Sequence, residues 1–243
     1  RKLYQRDSNT LSQRVIEPGC AGCDASWLTA YRDHYRASLE LSVSLTPRGA
    51  THYEYLWYLV LAGEASAGKS AIARRLQGTR LEPPFDSTPS PTIGVAMCTR
   101  VIKCRESPIK LLLWDTSGNP AFRAMTDSYM RGARLFMLVY DVCDSKSFYA
   151  VAAWRDRINQ VSSDAVILLV AHKVDKTTER VISREEGLCL AQRLQLPYIE
   201  TSAKTGAGIP AALRYLVEHQ LDTIPPHERR PRPRPSGSSC VAL

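Results

Sequence analysis

The stretch GEASAGKS, Gly63 to Ser70, has the residue types and spacing of a phosphate-binding loop. It fits the pattern G-x-x-x-x-G-K-[ST], and it lies between an apolar run and a segment with helical spacing. In such a loop the backbone N–H groups point at a phosphate, the lysine reaches the β- and γ-phosphate oxygens, and the serine binds Mg²⁺. The alternative is a glycine-containing turn before an ordinary helix. The residues predicted to contact the phosphates are Gly63, Ala65, Ser66, Ala67, Gly68, Lys69, Ser70 and Ala71.

Six apolar runs predict the strands that position this loop. They are bounded by turn residues, and most are separated by segments with helical spacing. Several are too continuously apolar to have a solvent-facing side, which favours an α/β fold with a mostly parallel central sheet and helices on both faces. Such a sheet has its ligand site in the loops after the carboxyl ends of its strands. The runs cover residues 55–63, 95–104, 109–115, 135–141, 165–172 and 196–203.

Composition predicts one domain with two appendages. The 243 residues, of which 44% are hydrophobic, suffice for one well-buried domain. We predict this domain at residues 53–224, an N-terminal extension at 1–52 that we expect to be disordered, and a flexible basic tail at 225–243. The net charge of +8 indicates an anionic partner. The seven cysteines lack the spacing of a disulfide framework and the sequence starts without the pattern of a signal peptide, which together indicate a reducing cytosol. No apolar run is long enough to predict a membrane-spanning helix.

Four further motifs follow the phosphate loop in order: PTIGV at 91–95, WDTSG at 114–118, HKVD at 172–175 and TSAK at 201–204. With the loop, and with the segments IGVAM, FRAMTDSYMRGA and LVYDVCDSKSF, they make residues 53–224 resemble a Rab-type small GTPase of the Ras superfamily. The resemblance implies the P-loop NTPase fold of a Ras-like G domain, with GTP or GDP as ligand and Mg²⁺ as cofactor. It also implies a switch in vesicle traffic that hydrolyses GTP and recruits effectors in its GTP state.

The same resemblance implies roles for single residues. Ser70, Thr92 and Asp115 are the implied metal ligands, with Asp115 acting through water. Thr92 and the amide of Gly118 are implied to sense the γ-phosphate. The implied contacts of the base are Phe85, His172, Lys173, Asp175, Ser202, Ala203 and Lys204.

The choice of base also follows from the chemistry of Asp175. Guanine presents two N–H donors on one edge, and a carboxylate accepts both, so Asp175 would select guanine over adenine. The alternative is a surface carboxylate in a turn.

Asn119 departs from the family pattern, in which a glutamine usually orients the attacking water. Pro120 and Ala121 likewise replace a usual acidic and basic pair. Asparagine is one methylene shorter, and a misplacement of about 1 Å costs roughly a hundredfold in rate. We therefore predict slow intrinsic hydrolysis, with Asn119, Lys69 and Thr92 as the catalytic set. Activating proteins of the family's TBC type supply an arginine and a glutamine in trans, so stimulated turnover is compatible with Asn119.

His172 is the second departure, because an asparagine usually joins the base loop to the phosphate loop at this position. A base contact and a structural histidine at a strand end both fit its chemistry. His172 and Asn119 together motivate an alternative function, a pseudo-GTPase that works as a scaffold.

Three apolar residues, Met97, Trp114 and Tyr129, align with effector-facing residues of the family, and Ile93 is a fourth residue predicted to face effectors. For Trp114 an ordinary core role fits as well. Cys20 and Cys23 have half the spacing of a zinc site, and a pair of free thiols is the alternative.

The last four residues, CVAL, fit a C-a-a-X signal for geranylgeranylation of Cys240. One lipid chain binds membranes only marginally, and the second signal would be Arg229, Arg230, Arg232 and Arg234. A solvated arginine-proline run is the alternative. The implied partners are an exchange factor, a GTPase-activating protein, a prenyl-binding chaperone, effectors, and the cytosolic face of an intracellular or plasma membrane. We expect no nucleic-acid binding, because no aromatic and basic surface motif accompanies the charge.

Overall fold

The computed structural model of the chain describes residues 44–45, 53–78, 92–105 and 107–224. Within these ranges the strands are β1 (Ser44–Leu45), β2 (Tyr55–Ala62), β3 (Val95–Cys104), β4 (Ser107–Thr116), β5 (Leu135–Asp141), β6 (Val166–His172) and β7 (Tyr198–Thr201). The helices are α1 (Lys69–Gln77), α2 (Arg123–Met130), α3 (Ser145–Tyr149), α4 (Val151–Val161), α5 (Arg184–Leu194) and α6 (Ile209–Thr223). A 3₁₀ turn covers Pro120–Phe122.

The described strands form one sheet in the order β1-β3-β4-β2-β5-β6-β7. From β4 to β7 every neighbouring pair is parallel, whereas β3 is antiparallel to both β4 and β1. Each of the six apolar runs forms one of the strands β2 to β7. The predicted α/β fold with a mostly parallel sheet is therefore confirmed.

Helices cover both faces of this sheet. Successive side chains of a strand point to opposite faces, so one strand contributes to the core on each side. On β2, Leu59 and Leu61 lie in a core shared with α1 and α6, and Val60 and Ala62 lie in a second core. Helices α4 and α5 close the second core, to which α4 contributes Trp154. All residues of β5 are buried, which explains its continuous apolar sequence.

The edge of the sheet carries a short strand that the sequence pattern does not predict. Ser44 pairs with Lys103 and Leu45 with Ile102, so two residues of the predicted disordered extension belong to the sheet. Two residues are too few to produce a readable alternation of apolar and polar side chains. At the same end of the domain, Arg105 Nη2 donates to Asp222 Oδ2 near the end of α6, at 3.1 Å.

Several predicted features lie outside the described residues. They are the rest of the extension with Cys20 and Cys23, the loop 79–91 with Phe85, and the tail 225–243 with Cys240 and its four arginines. The predictions made for them stay predictions. In the described part of the chain, no helix is both long and apolar enough to cross a membrane.

Candidate nucleotide site

Five parallel strands end at one edge of the sheet, and the predicted nucleotide residues that the structure describes lie along that edge. The phosphate loop follows β2, WDTSG includes the end of β4, and HKVD and TSAK begin on the last residues of β6 and β7. Because β3 is antiparallel to β4, the segment with Thr92 also arrives there, just before β3 begins. Motifs far apart in the chain therefore meet at the edge where parallel sheets bind ligands.

The phosphate loop turns sharply because its backbone has positive φ angles at Gly63 (135°), Ser66 (63°) and Gly68 (97°). A Cβ on Gly63 would lie 2.1 Å from the carbonyl oxygen of Val139, so this position has no room for a side chain. Helix α1 begins directly after Gly68. The unpaired N–H groups of its first turn therefore belong to the loop and are available to an anion.

The side chain of Lys69 is folded into this loop. Its Nζ donates to the carbonyl oxygens of Gly63 at 2.9 Å and Glu64 at 2.6 Å, and the residue is 5% exposed. Burial lowers the pKa of Lys69 to about 8, while the charges of Asp115 and Glu64 act in the opposite direction. A bound phosphate would add a negative charge beside this ammonium and favour its charged form.

Three oxygen-bearing side chains from separate segments meet beside Lys69. Ser70 Oγ and Thr92 Oγ1 are 2.8 Å apart, and Thr92 Oγ1 donates to Asp115 Oδ2 at 3.3 Å. Two hydroxyls and one carboxylate are the hard oxygen donors that Mg²⁺ prefers when it also binds phosphates and water. These are the residues that the sequence predicts as metal ligands.

The environment of Asp115 supports this interpretation. Its Oδ1 is buried and has no hydrogen-bond partner among the described residues. Burial raises the pKa of the Asp115 carboxyl, while hydrogen bonding to Ser70 and Thr92 and the charge of Lys69 act in the opposite direction. An unpaired buried carboxylate oxygen is costly without a cation or donor, so the site fits Mg²⁺.

Backbone contacts hold the two loops that flank this cluster against each other. Ser117 N donates to Gly94 O at 2.9 Å, which joins WDTSG to PTIGV. A Cβ on Gly118 would lie 2.1 Å from Ala65 N. The backbone of Gly118 therefore lies directly against the phosphate loop.

Lys173 joins the base loop to the phosphate loop. It lies in the left-handed region with φ 66°, and its Nζ donates to Ser66 O at 2.9 Å and to Asp141 Oδ2 at 2.5 Å. Asp141 is the last residue of β5 and was not among the predicted site residues. Its position after a buried apolar strand, at the same sheet edge, is the signal that could have identified it.

His172 packs between β7 and the phosphate loop. It is 2% exposed, and its Nδ1 lies 2.9 Å from Thr201 Oγ1. The Thr201 hydroxyl also contacts Ala171 O at 3.3 Å, so Thr201 joins the His172 ring to the end of β6. A Cβ on Gly68 would lie 2.3 Å from His172 Cδ2. This geometry supports the structural alternative, a histidine that fills the space between strand end and phosphate loop.

The loop with TSAK is fixed from both sides. Ser202 Oγ donates to Asp175 Oδ1 at 2.5 Å, which orients the carboxylate predicted to select guanine. From α1, Arg75 donates through Nε to Ala203 O and through Nη2 to Lys204 O, the latter at 2.5 Å. Arg75 was also missed, because a helix-surface arginine gives no signal of a partner so distant in sequence.

Asn119 uses its side chain locally. Its Oδ1 accepts a hydrogen bond from Ala121 N at 2.9 Å and caps the 3₁₀ turn that starts at Pro120. Asparagine is a good capping residue, and proline is well tolerated in a first turn. In this arrangement the amide oxygen of Asn119 is engaged by the turn.

The predicted effector-facing residues form an apolar surface beside the site. Ile93 is 83% exposed and Met97 62% exposed. Trp114 is half-buried between Tyr58 and Tyr129, with ring centroids 5.5 Å and 4.4 Å away. Trp114 therefore supports the packing of Tyr129 while belonging to this surface.

Comparison with known proteins identifies the family to which the chain belongs. The sequence profile of the Ras family matches residues 58–222. Ras-related protein SEC4 of Candida albicans is 37% identical over 158 residues, which are 65% of this chain and 73% of that protein. Ras-related protein Rab-10 of Caenorhabditis elegans is 36% identical over 174 residues, 71% of this chain and 85% of that protein. Ras-related protein Rab-3 of the same organism is 32% identical over 204 residues, 81% and 91% of the two chains.

The chain therefore belongs to the Ras family of small GTPases. Within that family it is a Rab-type GTPase, an enzyme that hydrolyses GTP and acts in vesicle traffic. The comparisons do not favour the alternative of a pseudo-GTPase scaffold.

Proposed function

We propose that this Rab-type GTPase is a Mg²⁺-dependent, lipid-anchored switch with slow intrinsic hydrolysis. One observation carries the proposal: Ser70, Thr92 and Asp115 meet beside the buried ammonium of Lys69, although they come from three separate segments. A structural cluster would not need a carboxylate oxygen left unpaired in a buried position.

Each residue then has a distinct task. Lys69 binds the β- and γ-phosphates, and Thr92 and the amide of Gly118 respond to the terminal phosphate. Ser70, Thr92 and Asp115 hold Mg²⁺, which supplies positive charge to the phosphate oxygens when bound.

Selection of the base falls to the loops after β6 and β7. Asp175, oriented by Ser202, accepts the two N–H donors of guanine. Adenine lacks this pair of donors, so it would leave a carboxylate oxygen unpaired in the site.

Hydrolysis is slow because Asn119 is short and its side chain caps the following turn. Phosphoryl transfer depends on positioning, so a poorly placed side chain leaves the attacking water without an orienting partner. An activating protein would supply the missing groups, and an exchange factor would release GDP.

We further propose that Cys240 carries a geranylgeranyl group, and that the tail arginines add electrostatic attraction to an anionic leaflet. A prenyl-binding chaperone would carry the protein between the cytosol and the cytosolic face of its membrane. The apolar surface formed by Ile93, Met97, Trp114 and Tyr129 would receive effectors in the GTP state.

The decisive experiment is to extract the nucleotide that copurifies with the full chain and to separate it by chromatography. We expect GDP or GTP, and uptake of guanine rather than adenine nucleotide after exchange in EDTA. Asp175→Asn is the matched variant, and it should lose the preference for guanine while the fold is retained. A wild-type protein with no bound nucleotide, and no uptake from a micromolar pool, would overturn the proposal.

A further inference from the structure

Helix α4 contains an arginine that links it to α2, the helix that follows WDTSG. Arg157 Nε lies 2.6 Å from Asp127 Oδ1, and its Nη2 donates to Arg123 O, also at 2.6 Å. Asp127 is in the middle of α2, and Arg123 is its first residue. One guanidinium therefore contacts both the start and the middle of α2.

The same guanidinium lies over the indole ring of Trp154, with its Cζ 5.3 Å from the ring centroid. Trp154 is 6% exposed, and its Nε1 donates to Glu64 Oε1 at 2.9 Å. Glu64 is the second residue of the phosphate loop, and its backbone oxygen accepts from Lys69. Arg157 and Glu64 thus contact one buried ring, at its face and at its edge.

The ion pair between Arg157 and Asp127 is partly buried, which strengthens it. The side chain of Arg157 is 18% exposed and that of Asp127 is 31% exposed, so water screens the pair less than a fully exposed ion pair. A planar guanidinium can hold two acceptors and stack on a ring together, whereas an ammonium on a flexible stem cannot. Arginine is therefore the residue type that fits all three contacts.

We propose that Arg157 is a positioning residue that couples the phosphate loop to α2 through Trp154. The inference rests on the proposed function, since it assigns regulation to the same nucleotide site. On its other side, α2 is held by the contact of Tyr129 with Trp114. The first turns of α2 directly follow the 3₁₀ turn that Asn119 caps. Without Arg157, these turns would lose their link to the phosphate loop.

The test is amide hydrogen exchange of α2 in the full chain, measured with and without GDP and Mg²⁺. Arg157→Gln should speed exchange at residues 124–130 about fivefold to tenfold, the effect of losing a partly buried charge-assisted contact. Arg157→Lys should be intermediate, because it keeps the charge but not the forked geometry. Arg155→Gln is the control, because Arg155 pairs with its helix neighbour Asp156.

The contact between Trp154 and the phosphate loop is tested with Trp154→Phe. This variant keeps an aromatic ring for Arg157 and removes the hydrogen bond to Glu64. In the wild type, nucleotide should slow α2 exchange, and this protection should shrink in Trp154→Phe. Circular dichroism establishes that each variant is folded, and Arg157→Lys keeps the test open if Arg157→Gln does not fold.

Equal α2 exchange in the wild type and in both Arg157 variants would overturn the inference, as would undiminished protection in Trp154→Phe. Failure of the proposed function looks different. The wild type would then bind no nucleotide, while the effect of Arg157→Gln on α2 would persist in the nucleotide-free protein.

Discussion

His172 makes the stability of the domain depend on pH, and the change that tests this is His172→Asn. Burial, with a further contribution from the charge of Lys173, lowers the pKa of His172 from its ordinary 6.5 to about 4. The folded protein therefore resists protonation of this ring, whereas the unfolded chain accepts the proton near pH 6.5.

The sign and size of the effect follow from proton linkage. A buried base with a lowered pKa contributes fully to stability above about pH 6.5, and the contribution is lost as the pH falls toward 4. With these two pKa values, the free energy of unfolding should fall by about 2 kcal/mol between about pH 7.5 and pH 5 because of His172 alone. An asparagine side chain does not titrate in this range, so the His172→Asn variant should lose correspondingly less stability.

The assay is urea unfolding followed by circular dichroism at the two pH values, with GDP and Mg²⁺ held at the same saturating concentrations, since bound ligand itself adds stability. Other groups titrate in both proteins, so the difference between wild type and variant isolates His172. If both lose the same free energy on acidification, the ring is either not buried as described or already protonated in the folded state.

Three further predictions concern single residues. Asn119→Gln should raise intrinsic single-turnover hydrolysis by about tenfold or more, with little change in nucleotide affinity, because it restores the missing methylene; no gain, even when combined with Pro120→Glu, would mean that Asn119 is not what limits the rate. Gly68→Ala should weaken GDP binding at least about tenfold, since it strains a residue at φ 97° and its Cβ meets the His172 ring. The double variant with His172→Ala should recover only part of the affinity. Titration calorimetry measures both, and a Gly68→Ala variant that binds GDP as tightly as the wild type would contradict this packing. Cys240→Ser should move the protein from membrane to cytosol in fractionated cells, while replacing the four tail arginines should do so only partly; equal membrane fractions would exclude the lipid anchor.

The centre of the sheet could be predicted from sequence because strands such as β5 and β6 are buried on both faces. A strand such as β5, whose residues are all buried, appears in the sequence as an unbroken apolar run between turn residues. The two-residue strand Ser44–Leu45 has no such pattern, and its place is set by backbone pairing with β3. Local sequence therefore predicts elements that have their own apolar face and misses those defined by their neighbours.

The candidate site also contains residues that the sequence predicts and residues that it misses. Lys69, Ser70, Thr92 and Asp115 could be predicted because motif spacing fixes them. The residues that hold the motifs together, such as Asp141 and Arg75, could not, because each bond joins segments that only the folded topology brings into contact. For Asn119 the sequence predicts slow hydrolysis, and the capping bond to Ala121 is a local contact that the sequence pattern does not show.

The two ends of the domain differ in which segments of the chain they carry. The chain enters the sheet at Ser44–Leu45 and α6 finishes near Asp222, both at the end of the domain marked by Arg105. The nucleotide loops lie at the opposite end, about 25 Å away along β3 from Lys103 to Val95, at roughly 3.3 Å per residue. The described chain therefore joins its two remaining segments, residues 1–43 before β1 and 225–243 after α6, at the end of the domain away from the nucleotide loops.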